Sequence, residues 1–588
     1  MLFYGNRCQE RDPRQVFHDL DARLAAALAM PPGLPRHAAL VAALIAWGEL
    51  LQGVADATSE ASGIDRQSPA ETVLAARLVA IADLVRQSFD SLQWQSRGAL
   101  PPLRPPLLPE RILLRRPEGY LHYALYPETY RVAARRMTGP LAGVIGIRSI
   151  GTSLAAMVAA SAGIASMASL RPRGDPYRRH VVADHGLVQA MRDRQGAIAV
   201  VDEGPGLSGS TFVAVVDWLR QHGVASRRIR LFPSHAGTPG PQAGDAAARR
   251  WQGLQRHVAT FEDVFLDTDH IAHRLTTWLG DAIGPLSPLE DLSGGAWRRT
   301  VFGPEQHWPP VVPAMEMRKY RTIAAGRPLL VKFAGLGPTG ERKLAMAQAM
   351  SAAGFTAEPL ALVHGFLVER WLAAAPAGTL ASLPRHRLIA RLGDYLGFRA
   401  AAFPAASDEG ASLRDLVQMA VLNTGEVLGQ GFADRLARQL SALPSHEAAL
   451  ARCATDNRLQ PFEWLVQPDG QLIKADALDH AFGHDLVGCQ DIAWDLAGTA
   501  VEFDLDDEER GTLARRVERI SGRGIGRQFI SSLEPCYLAM ELGRTHFGFA
   551  LPSDTGDRNR LHRSHRRYAR KLQDWIQMKE SSRMTDNI

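Results

Sequence analysis

The stretch "AIAVVDEGPGLSGSTF" (residues 197–212) is an apolar run that ends in two adjacent carboxylates, Asp202 and Glu203, and then enters a loop of Gly, Pro and Ser. Such a run reads as a strand feeding a helix, with Gly206 in the loop and Ser208, Gly209, Ser210 and Thr211 forming the turn. Backbone N–H groups at a helix N-terminus bind an anion, glycine permits close approach, and Ser and Thr hydroxyls add donors. A carboxylate beside that loop repels a phosphate but suits vicinal hydroxyls. A phosphorylated ribose satisfies both demands. The plainer alternative is an ordinary strand-to-helix turn whose acids cap the helix.

Around this stretch, from about 110 to 233, the short apolar runs "GYLHYALYP", "GVIGIRS", "HVVAD", "AIAVVD" and "RIRLFPS" are read as strands, and "LAAMVAASAGIA" and "FVAVVDWLRQHG" as helices between them. The alternation predicts a doubly wound, mostly parallel sheet with ligands at the carboxyl ends of its strands. Before it, 14–95 carry Ala/Leu runs at helical spacing and predict a helical N-terminal region; the proline cluster "LPPLRPPLLPE" (100–110) marks the boundary. A linker-like stretch, 235–250, closes the block. The expected division is 1–99, 100–250 and 285–580.

The motif "VVDEGPGLSGST" resembles the type I phosphoribosyltransferase signature, with one more residue between acids and turn and Ser-Gly-Ser-Thr in place of the usual turn. The resemblance implies that Asp202 and Glu203 bind the ribose hydroxyls of phosphoribosyl pyrophosphate and take part in catalysis, while Gly206 and Ser208 to Thr211 hold its 5-phosphate. It places a pyrophosphate loop at Arg148, Ser149, Ile150, Gly151 and Thr152. The segment "SLRPRGDPYRR" adds Arg171, Arg173, Arg178 and Arg179, which could neutralise a pyrophosphate with Mg2+. The acceptor is not legible; the tyrosines of "EGYLHYALYPETY" (118–130) could line its pocket or belong to the core.

After about 285 the pattern changes. "PLLVKFAGLG" puts Lys332 in a strand, after a candidate glycine loop "LSGGAWR" with Gly294 and Gly295, and Glu341 opens the next helix. This resembles the small lobe of protein-kinase-like and aminoglycoside-phosphotransferase-like folds, where the strand lysine holds ATP phosphates and pairs with a helix glutamate. The resemblance makes "GFLVERWL", with Glu369, the strand that meets adenine. In "ATDNRLQPFEWLVQPDGQLIKADALDHAFGHDLVGCQDIAWDLAG" it implies Asp456 as catalytic base, Glu463 and Asp476 as metal ligands, with Asp479 competing with Asp476, and Asp495 in a structural Asp-Leu-Ala. The central "PDG" is a hairpin signal. His480 and His484, four apart in "DHAFGHD", could share a metal, contact substrate or join a polar network.

With 588 residues, 46% apolar and 22% charged, the chain has the composition of a multidomain globular protein, and a net charge of +5 does not by itself indicate nucleic acid. The basic run 558–571 is expected to be a solvated or domain-covering helix face. Four scattered cysteines without a C-x-x-C pair argue against a zinc ribbon or disulfide scaffold and fit a reducing cytoplasm. No membrane partner is expected, and the apolar 154–170 reads as a buried helix. The fold class expected is multidomain α/β plus α+β: a helical N-terminal region, a phosphoribosyltransferase-like domain and a two-lobed kinase-like domain. The expected function is a bifunctional enzyme, a phosphoribosyltransferase (glycosyltransferase class) with a kinase-like phosphotransferase module. The other-class reading is a non-catalytic sensor that binds a phosphorylated ribose and carries a pseudokinase scaffold.

Overall fold

Alanine and leucine at helical spacing build the first layer of the computed structural model: α1 (Pro13–Ala29), α2 (Leu34–Ser62) and α3 (Pro69–Asp90). The structure describes the chain except residues 6–7, 92, 97–99, 101, 241–242, 373–379, 381–382, 552–553 and 587–588, and the side chains of 246, 550 and 581–586. Parts of the expected linkers at 100–110 and 235–250 therefore lie outside the described residues. Pro69 opens α3, and Ser68 and Glu71 close a reciprocal capping box at its start. By length and composition α2 could cross a membrane, and 72% of its apolar window is buried inside the fold. The strand β1 (Cys8–Arg11) pairs antiparallel with β2 (Ile112–Arg115) beside these helices.

Next come α4 (Glu118–His122) and α5 (Pro127–Arg135), where a strand was expected over 119–127. Pro127 at the first helical position and acids in both first turns outweigh the strand preference of the tyrosines. The α/β unit follows: β3 (Leu141–Ile147), α6 (Gly151–Ser161), β4 (Ala168–Leu170), α7 (Gly186–Arg192), β5 (Ala197–Val201), α8 (Ser210–Gln221), β6 (Ile229–Phe232), α9 (Asp245–Gln252) and β7 (Gln255–Arg256). The five strands are parallel, in the order β4-β3-β5-β6-β7. Ile145, Ile147, Ile198 and Val200 face the apolar side of α8, whereas Val144, Ala199 and Val201 face α6. The expected strand "HVVAD" is absent: it makes only single bridges, at His180 to Arg173 and at Ala183 to Asp65.

After α10 (Leu275–Ile283) the chain enters an antiparallel sheet of five strands, ordered β11-β12-β10-β9-β8. Its strands are β8 (Glu290–Asp291), β9 (Lys319–Ala324), β10 (Arg327–Phe333), β11 (Pro359–Val363) and β12 (Phe366–Arg370). One short helix, α11 (Trp297–Phe302), follows β8, and α12 (Pro338–Ala352) joins β10 to β11. A mostly helical lobe completes the chain: α13 (Arg385–Ala402), α14 (Leu413–Leu428), α15 (Gln430–Gln439), β13 (Arg452–Cys453), β14 (Trp464–Val466), β15 (Leu472–Lys474), β16 (Gln490–Asp491), α16 (Ala493–Glu502), α17 (Asp507–Ser521), α18 (Arg527–Ala550) and α19 (Thr555–Asp586). The "PDG" segment is the tip of the β14–β15 hairpin, with Gly470 at φ +82°. The basic 558–571 lies on α19, which covers the lobe with Tyr568, Leu572, Trp575 and Ile576.

The N-terminal helices are not a separate body. They share one continuous core with the α6 face of the parallel sheet and with Tyr320, Val331, Phe366 and Val368 of the small lobe. Residues 2–4 belong elsewhere: Asn423 accepts from the Leu2 N–H at 2.7 Å and donates back at 2.8 Å, and Phe3 is buried in the helical lobe. Phe3→Ala should therefore cost about 3–5 kcal/mol, typical of truncating a buried aromatic. Urea unfolding measures it; a loss below about 1 kcal/mol would show that the Phe3 seat collapses freely.

Candidate functional site

The sheet edge expected to bind a phosphoribosyl group is formed where β3 and β5 lie side by side. From β3 the chain runs through α6 to β4, and from β5 through α8 to β6 on the other side, so the two loops meet at a topological switch point. A methyl group on Gly151 would fall 2.5 Å from the Val201 carbonyl oxygen, so glycine is what lets α6 start against the end of β5. The Arg148–Ser149 peptide is cis.

The charges at this edge are already matched. Arg148 donates to Asp56 at 3.0 Å and to Asp65, and Arg171 donates to Asp56 at 2.7 Å and to the Ser149 hydroxyl at 3.3 Å. Burial would raise the Asp56 carboxyl, but the Arg171 and Arg148 guanidiniums outweigh it and hold it below its ordinary value. Arg173 turns to Ser59. These arginines, expected to face a pyrophosphate, clamp the end of α2 and the α2–α3 connection onto the sheet. The turn is also engaged: Ser208 and Ser210 donate to the Pro176 carbonyl at 3.2 and 2.6 Å, and Gly206 and Gly209 each adopt φ +64°, which favours glycine. The Thr152 hydroxyl is buried without a hydrogen-bond partner among the described residues, while Thr211 is half-buried.

The two carboxylates are drawn inward. Burial pushes Asp202 well above its ordinary value, and Glu203, against the Gly119 N–H in the first turn of α4, is pushed up to about 8 by burial and by Glu118. Tyr120, Tyr126 and Tyr130 are buried and donate or share hydrogen bonds with Ser153, His364 and Asp202, so these three tyrosines are core rather than pocket lining.

The second candidate site is a deep cleft between the small and helical lobes. Lys332 on β10 points into it and donates to Asp476 at 2.6 Å and to Asp479, both from the loop after β15. Lys343 on α12, fully buried, donates to Asp479 at 2.6 Å. Glu341 is exposed and does not pair with Lys332. The periodicity contains the reason: Lys343, Met346, Ala347 and Met350 form the buried i, i+3, i+4, i+7 face, from which Glu341 is excluded. Burial would lower the Lys332 ammonium, and Asp476 and Asp479 outweigh it and hold it well above its usual range; Lys332 in turn keeps both carboxyls low.

Deeper in, Lys474 on β15 has no exposure and donates to Glu463 at 2.6 Å, with Asp456 at 3.5 Å. The Asp456 side chain also has no exposure and accepts from the Tyr395 hydroxyl. Asp495 accepts the backbone N–H groups of Asp456 and Asn457 at 2.7 and 2.9 Å, the scaffolding task expected of the Asp-Leu-Ala element. Arg399 braces the same loop through the carbonyls of Ala454, Thr455 and Ala477. Asp456, Glu463 and His480 bring donor atoms within 4.8 Å of one another, and the Lys474 ammonium sits beside two of them in the place of a cation. His484 turns to the Tyr123 hydroxyl at 2.8 Å, so it takes a different partner from His480, whose Nε2 is 3.8 Å from Asp476.

One expectation for the cleft is corrected. Gly294 and Gly295 do not form a glycine loop over it: they turn from β8 into α11, and a methyl group on Gly295 would meet Val311 at 2.8 Å. Leu292 and Trp297 on either side line the cleft instead. Glu369 does face the cleft, from a strand paired on both edges, and burial pushes its carboxyl up to about 7. The residues that sequence reasoning missed are Lys343, Lys474, Tyr395 and Arg399; Lys474 was findable as the only charge in the apolar strand "LIK".

No family model matches the chain, and no curated protein matches it. Among solved structures, it is similar to the choline kinase LicA from Streptococcus pneumoniae at 14% identity, over 43% of this chain and 89% of that one, with a TM-score of 0.30. It is similar to a choline/ethanolamine kinase family protein from Mesorhizobium loti at 16% identity, over 50% and 93% of the two chains, with a TM-score of 0.28. A thermostable mutant of aminoglycoside phosphotransferase APH(4)-Ia is similar at 14% identity, over 52% and 99%, with a TM-score of 0.31.

Lys474→Met should destabilise the protein by about 3–5 kcal/mol, because it leaves Asp456 and Glu463 buried beside each other without their cation. Denaturant unfolding measures it, and a loss below about 1 kcal/mol would mean that the pair is already neutral. For Glu369 the pH sign is fixed: its folded value of about 7 exceeds the ordinary 4.5, so its contribution is complete below 4.5 and lost as pH rises through 7. Glu369→Gln should raise the melting temperature above pH 7 and leave it unchanged below 4.5. An equal shift at both ends would refute the burial cause.

Proposed function

We propose that the cleft between the two lobes binds a magnesium–nucleoside triphosphate and transfers its terminal phosphate to the hydroxyl of a small molecule. One observation carries this reading: Lys332, on a central strand, is held between Asp476 and Asp479 at the mouth of a cleft with apolar walls at Leu330, Leu367, Leu465 and Leu372. The apolar walls suit a nucleobase, and an ammonium facing two carboxylates is the charge pattern that phosphate oxygens and a divalent cation can share. The carboxylates that suit magnesium are Asp476 and Asp479, with Glu463 deeper; a bound ion would neutralise phosphate charge there.

In the transfer, the acceptor oxygen bonds to the γ-phosphorus while the bond to the β–γ bridging oxygen breaks, and the diphosphate leaves with the electron pair. Lys332 lies where it can leave its aspartates for the phosphates. The acceptor proton would pass to Asp456, which requires Lys474 to swing fully onto Glu463. A second reading is favoured by the sealed Asp456 side chain: the cleft binds the nucleotide and transfers nothing.

At the sheet edge, phosphoribosyl transfer would need Arg148 and Arg171 to abandon Asp56, and Ser208 and Ser210 to abandon Pro176. We assign no activity to that edge.

Titration calorimetry with ATP and magnesium should give micromolar binding that weakens at least about tenfold, or 1.4 kcal/mol, in Lys332→Ala and in Asp476→Asn. Equal affinity in all three proteins would remove these residues from the site. ADP release over a panel of hydroxylated acceptors separates the two readings: binding without release would leave the cleft a nucleotide sensor.

A further inference from the structure

A second buried cluster lies far in sequence from the cleft residues. His37 on the first turn of α2, Glu128 on the first turn of α5 and His364 in the β11–β12 turn converge, with side-chain exposures of 0%, 1% and 1%. Both imidazoles place Nε2 2.9 Å from the same carboxylate oxygen, Glu128 Oε1. The other oxygen, Oε2, is buried and has no hydrogen-bond partner among the described residues, and neither has His37 Nδ1. The rings of Trp94, Tyr126 and Trp278 pack at 4.7 to 5.4 Å from the two imidazoles, so water is kept away.

As a network of protons, this arrangement is poorly made. Two N–H groups would converge on one oxygen while its twin, equally buried, receives none. A divalent cation in place of the two protons changes the count. Each imidazole then offers a bare Nε2, and the carboxylate offers both oxygens, which gives four donors in a closed setting. All three ligand atoms already lie within 4.8 Å of one another, and tetrahedral ligands at zinc–nitrogen lengths are spaced roughly 3.3 Å apart, so the 2.9 Å contacts need to open only slightly.

We propose that His37, Glu128 and His364 form a structural zinc site that clamps the N-terminal helices and α5 to the small-lobe sheet. Imidazole and carboxylate donors without sulfur suit Zn2+ among first-row ions that prefer four ligands, and the absence of exposure at all three residues makes the site structural rather than catalytic. The site is independent of the nucleotide cleft, which has its own carboxylates.

The turn supplies a clean variant. His364 and Gly365 form a two-residue connection with φ of +41° and +92°, a geometry that asparagine also accepts. His364→Asn therefore keeps the turn and removes a ligand, and Glu128→Gln keeps the volume and weakens the carboxylate. Full-length protein is stripped with a chelating resin, given one equivalent of Zn2+, and read by elemental analysis, melting temperature and the visible absorption of the Co2+-substituted form. The wild type should retain about one zinc per chain, melt higher with zinc than without, and show a tetrahedral Co2+ spectrum. Both variants should keep the wild-type circular dichroism, bind zinc at least about 100-fold more weakly and lose the spectrum. A wild type that retains no zinc overturns the proposal. So does full retention in Glu128→Gln or His364→Asn, which would place the ion at Asp456, Glu463 and His480 instead.

Discussion

Charge taken out of water must be matched on the spot, and that constraint shapes both halves of this protein. In the cleft, Lys332, Lys343 and Lys474 are set against Asp476, Asp479, Glu463 and Asp456, each ammonium donating to at least one carboxylate. The secondary structure serves that matching: β10 delivers Lys332, α12 delivers Lys343, and the β14–β15 hairpin returns Lys474 beneath both. At the sheet edge, Arg148 and Arg171 are matched to Asp56 from α2, and this pair ties the first helical layer to the parallel sheet. At the sheet edge Arg148 and Arg171 are already engaged by Asp56 and Asp65.

Much of the architecture is legible in the sequence. The parallel sheet follows from the fully apolar run 197–201 and its glycine-rich exit, the hairpin from "PDG", and the scaffolding aspartate from "WDLAG". What fails does so for identifiable reasons. The aromatic run 119–127 favours strand by composition, yet the proline and the acids at helix-start positions decide it. Glu341 was chosen for its charge, whereas the helix face decides which residue reaches the cleft, and two positions along a helix point to different sides.

The site residues of the sheet edge illustrate a different limit. A motif reports which groups are present but not what they are already bonded to. Arg148 and Arg171 stand where an anion loop would want them, but their partners, Asp56 and Asp65, come from a helix and a connection some 80 to 115 positions earlier. Spacing within a motif carries no information about such distant partners. The same holds for the His37, Glu128 and His364 cluster, whose members belong to three separate elements and share no local pattern.

The seat of Phe3 has a consequence for biosynthesis. The ring that closes over it comes from Phe547, and the surrounding core from residues between Met350 and Ile576. Synthesis passes Phe3 long before the helices that seat it, so the anchor has no pocket until α18 and α19 have emerged. The helical layer and parallel sheet can assemble early, because their shared core is largely complete once the small lobe exists. The helical lobe then captures a segment made long before it, so this second core sets only after α19 has emerged.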